Sequence, residues 1–73
     1  MSLAKTYYAV TANDVIRAVA DDVATAEYCA QKQQLKGAVI HMGRAKRKAT
    51  AIKDIASANY LTISGPLKRE LKL

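Results

Sequence analysis

A chain of 73 residues with 12 Lys and Arg against 6 Asp and Glu, net charge +6, has room for one domain and a modest core; a chain this short buries only about 60% of its unfolded surface. Its apolar share is 51%, yet the aromatic part of it is four tyrosines, so the expected core is thin and built from Val, Ile, Leu and Ala. That leaves no room for a deep catalytic cleft, a single Cys29 rules out an internal disulfide, and no apolar stretch approaches the roughly 20 residues that span a bilayer.

Residues 6–10, TYYAV, favour a strand. TAND follows, with Thr11 as N-cap, Asp14 as third helical residue and Val10 and Val15 as a hydrophobic staple, which predicts a helix from about Ala12. Val15, Ile16, Val19 and Val23 recur at helical spacing along it. Asp21 and Asp22 suit a helix C-terminus badly, because the dipole disfavours anions there. Either the helix runs on to about Gln31, or Asp22 or Thr25 caps a second helix with Ala26, Cys29 and Ala30 inside; the break is preferred.

The polar QKQQ, residues 31–34, predicts a turn, and a third helix then reads from Leu35. Leu35, Ala38, Val39 and Met42 are continued by Ala45, Ala49, Ile52 and Ala56. At about 100° per residue, Lys36, Arg44, Arg47 and Lys48 fall on its opposite face, with Lys46 and Lys53 at the border. Gly37 and Gly43 each weaken such a helix by about 1 kcal/mol relative to Ala. Asn59 is a fair stop, after which residues 60–64 and 67–73 read as two strands joined by a type II′ turn at Gly65-Pro66.

This order predicts a small, mainly helical α+β domain that is winged-helix-like, with an N-terminal strand, two or three helices and a C-terminal β-hairpin. Residues 1–73 form one domain, with 1–5 and 66–73 as flexible ends. In such a fold the third helix enters the major groove and the wing touches the backbone. Lys36, Arg44, Lys46, Arg47 and Lys48 are then the candidate contacts, extended by Lys68, Arg69 and Lys72.

The charge is unevenly spread. Residues 1–30 carry two bases and four acids; residues 31–73 carry ten bases and two acids, and the run from Lys32 to Lys53 has seven bases and no acid. This asymmetry points to a polyanion or an acidic protein surface as partner. His41 and Cys29 supply too few donors for zinc, and a lone Cys is more often a packing residue than a nucleophile. Adjacent Asp21 and Asp22 on a helix do not converge on one atom. Neither an enzyme activity nor a metal, cofactor or small-molecule ligand is expected. Of the tyrosines, Tyr7 and Tyr8 must face opposite ways in a strand, so one joins the core and the other is free to anchor a protein contact or stack on a base.

Taken together, the opening AKTYYAVTANDV, the basic stretch GRAKRKATAIKD and the closing ANYLTISGPLKREL resemble small bacteriophage-encoded transcription regulators, of the kind a Xanthomonas phage directs at its host's RNA polymerase. The likeness is one of size, charge and overall character across the whole chain. It implies a protein that binds the N-terminal part of the polymerase β′ subunit, inhibits initiation by displacing σ and promotes antitermination in the host cytoplasm. Tyr7 or Tyr8 would be the aromatic anchor and the basic row the charge partner. The alternative is a winged-helix DNA-binding repressor, and a small toxin or enzyme using Cys29 or His41 ranks third.

Overall fold

The computed structural model describes residues 3–73. The first strand, β1 (Lys5–Ala12), takes the β-favouring KTYYAVTA and returns as β2 (Val15–Ala20) through a two-residue turn. Asn13 and Asp14 sit there at φ 53° and 61°, the pair of positive values that a type I′ turn demands and that Asn and Asp tolerate. The helix expected from Ala12 is therefore a hairpin. The polar residues read as a cap are also good turn residues.

The helical spacing in β2 has its own cause. Val10 pairs with Ala18 and Thr11 with Ile16, so Arg17 is an extra residue in a β-bulge. Ile16 and Val19, three apart, thereby share one face, while Ala18 and Ala20 lie on the other.

Asp22 caps α1 (Val23–Lys32), its carboxylate accepting from the Thr25 amide at 2.7 Å and the Thr25 hydroxyl at 2.8 Å. Of the two expected caps, Asp22 and Thr25, Asp22 is the one used, with Ala26 buried and Cys29 and Ala30 on the inner side, but the segment before it is a strand and not a first helix. The helix stops at QKQQ as expected. Gln34 is left-handed at φ 54°, its amide donates to the Gln31 carbonyl, and the Leu35 amide donates to Ala30, which together close a Schellman motif.

The third helix expected from Leu35 forms only in its second half. Val39–Ala45 is a strand, β3, antiparallel to β1, and the helix α2 spans Lys48–Asn59. Apolar residues at 35, 38, 39 and 42 fit a helical period, yet Ala38, Ile40 and Met42 also alternate as a strand face does, and the open edge of β1 decides between them. Gly43 serves this packing, since a Cβ there would lie 2.8 Å from Ile55 Cγ1.

α2 ends with Tyr60 left-handed at φ 55°. A two-residue strand, β4 (Thr62–Ile63), then pairs parallel with β2. The expected C-terminal hairpin is absent: Ser64 caps α3 (Gly65–Leu71), with Pro66 in its first turn. Gly-Pro after Ser reads as a turn or as a helix start, and Pro is at home in that first turn because its missing amide would have no partner there.

The result is an α+β domain organised on a four-stranded sheet of order β3-β1-β2-β4, not a mainly helical one. β3 separates α1 from α2, so the helix pair of a helix-turn-helix is not formed. The sheet is covered on both sides. On one, Ala9 and Ile16 meet Ile52 and Ile55 of α2 and Leu67 of α3; on the other, Val10 and Ala20 meet Ala26 of α1.

A candidate partner-binding surface at the basic end of the sheet

The β1/β3 register builds the site. Lys5 pairs with Ala45 and Thr6 with Arg44, so the start of β1 lies beside the end of β3, where Lys46 and Arg47 lead into α2 at Lys48. Lys5, Arg44, Lys46, Arg47 and Lys48 are all exposed. The Arg44 guanidinium donates to the Ala4 carbonyl at 3.2 Å, which ties it across the strand pair. Sequence reading found four of these cations. Lys5 it missed, since its place depends on a pairing across 40 residues.

Local structure makes this end more electropositive still. The N-cap of α2 is Arg47, extended at φ −122° and ψ 146°, with no side-chain cap bond. The open first-turn amides of a helix carry the positive end of its dipole. Three consecutive cations at that end disfavour the helix by about 0.3–1 kcal/mol each. An anionic group bound there would be attracted both by these cations and by the N-terminus of α2.

Other expected contacts lie elsewhere. Lys36 precedes β3, a strand of seven residues whose two ends lie about 20 Å apart at strand rise. Lys68 and Arg69 are in the last turn of α3, which packs on β2 towards the other sheet edge. Cations are favoured at a helix C-terminus, so these two have a local structural role. Lys72 follows as its left-handed C-cap. Tyr7 is only 8% exposed and belongs to the core, while Tyr8 is half-buried on the α1 side, next to Met42.

Cys29 is half-buried and helps line a cavity of about 350 Å³ with Arg17, Val19, Gln33, Leu67 and Glu70, at the β2 side of the sheet and away from the basic end. His41 is half-buried in β3 opposite Ala9. Among the described residues no group of three or more His, Cys, Asp or Glu is placed to hold a metal ion, and no helix is long and apolar enough to cross a membrane. Compared with known proteins, the chain matches no family model, no curated protein and no solved structure.

Proposed function

We propose that this protein is a non-enzymatic transcription regulator that binds bacterial RNA polymerase, inhibits initiation by displacing σ and promotes antitermination, acting in the host cytoplasm of a bacteriophage. The observation that supports it is the gathering of Lys5, Arg44, Lys46, Arg47 and Lys48 at one end of the sheet. Such a cluster steers the domain towards an anionic surface and fixes its orientation there. The polymerase, and its β′ subunit in particular, enter through the resemblance of the chain to small phage regulators. Nucleic acid held in a transcribing complex lies within the same electrostatic reach.

The repressor alternative receives less support. A winged-helix protein reads bases with a helix that directly follows another helix, whereas here β3 intervenes between α1 and α2. A pull-down from nuclease-treated bacterial lysate, paired with transcription assays on promoters of unrelated sequence, tests the proposal. Retention of polymerase and inhibition at all promoters are expected. Repression confined to one operator, without polymerase contact, overturns it.

A further inference from the structure

The sheet has a long free edge beside the basic cluster. β3 hydrogen-bonds to β1 on one side, and among the described residues no strand lies along its other side over Val39–Ala45. An exposed edge presents a row of backbone donors and acceptors ready to pair with another chain. Natural edges of this length are usually interrupted by a charge, a Pro or a bulge. Here Val39-Ile40-His41-Met42-Gly43 carries no Lys, Arg, Asp, Glu or Pro, and the β1/β3 register runs unbroken from Lys5↔Ala45 to Thr11↔Val39.

The exposed apolar side chains of the edge say how it is read. Val39 is 53% exposed and Met42 68% exposed. Val39 pairs with Thr11 on the α2 side of the sheet and Met42 with Tyr8 on the α1 side. A partner resting on one face of the sheet would touch one of them. A strand lying along the edge reaches both, because its own side chains alternate between the same two faces.

Charge selects the occupant. Lys32 and Lys36 precede β3, and Arg44, Lys46, Arg47 and Lys48 close or follow it, with no acid among them. A second copy of this chain, added antiparallel or parallel, sets cations against cations at the ends of the pair. We infer that β3 is a strand-addition site for an extended peptide segment of a partner protein, with apolar residues alternating at its centre and Asp or Glu towards its ends. The inference rests on the reading of this surface as a protein-binding one and specifies how the partner is held. Backbone pairing supplies affinity and the flanking cations supply selectivity.

An array of synthetic ten-residue peptides tests this without the polymerase. It varies net charge from −4 to +4 and central alternation, includes copies N-methylated at alternate amides, and is accompanied by a 12-base-pair DNA duplex in solution. Acidic alternating peptides are expected to bind best, to lose at least tenfold on N-methylation, and to slow exchange of the Val39–Ala45 amides in nuclear magnetic resonance spectra. The triple variant Lys46→Glu, Arg47→Glu, Lys48→Glu puts favourable charges at the N-terminus of α2 and so stays folded. It should lose the preference for acidic peptides while keeping the sensitivity to N-methylation. Retention that follows charge alone, retention of no peptide, or tighter binding of the duplex with shifts limited to residues 44–48 would overturn the inference. A failed array with a successful polymerase pull-down rejects strand addition and leaves the proposed function standing.

Discussion

Thr11 holds a hydroxyl that nothing answers. It is 4% exposed and its Oγ1 has no hydrogen-bond partner, a loss of hydration that costs about 1–3 kcal/mol. Thr11→Val keeps the shape and removes the group, so it is expected to raise the thermal midpoint, by about 4–8 °C for each kcal/mol gained in a domain of this size. An unchanged or lower midpoint in a thermal melt would show that the hydroxyl is satisfied. Asp22 makes the opposite kind of contribution. The Thr25 amide, then the Thr25 hydroxyl, hold its carboxyl below the usual 3.8. With the folded value depressed, its stabilisation is fully present above the unfolded value and fades as pH falls through the folded one. Melts of the wild type and Asp22→Asn across pH 2–7 should differ in that acid window, because an amide still caps the helix but does not titrate.

At the scale of elements, α2 begins badly for stability and well for binding. Arg47→Ser places a capping hydroxyl at its N-terminus and removes a cation, an expected gain of about 0.5–2 kcal/mol. Chemical denaturation should show the gain while partner affinity falls; a variant that gains in both would dissociate the cluster from binding. The elements differ in how far the chain alone reveals them. Asp22 and the polar QKQQ fix α1 at both ends because caps and turns are local chemistry. Residues 35–45 misled because Leu35, Ala38, Val39 and Met42 satisfy a helical period, while the preference for a strand lies in β1, thirty residues earlier. Ile16 and Val19 misled for the same reason in miniature, their helical spacing being the mark of a bulge. Of the site, Arg44 and Lys46 to Lys48 are visible as a basic run, whereas Lys5 becomes a neighbour only through strand register.

For the whole molecule, the small core leaves little in reserve. Leu67 of α3 is 4% exposed and joins Ala9, Ile16, Ile52 and Ile55 in one cluster. Leu67→Ala in such a place costs about 2–5 kcal/mol, against a total of about 4–11 kcal/mol for 73 residues. Urea titration of this variant should show a midpoint near or below half that of the wild type. A small shift would mean that α3 is dispensable to the fold.

The bulge at Arg17 makes β2 unequal in its tolerance of a shortened chain. Without Arg17, Ile16, Ala18, Val19 and Ala20 alternate strictly, and each keeps the β1 partner and the face it has now. Loss of Ala18 instead draws Arg17 opposite Val10, beneath α1, where a guanidinium would have to be buried. Two deletions one residue apart thus lead to opposite ends, a regular hairpin in the first case and a chain that cannot close its core in the second.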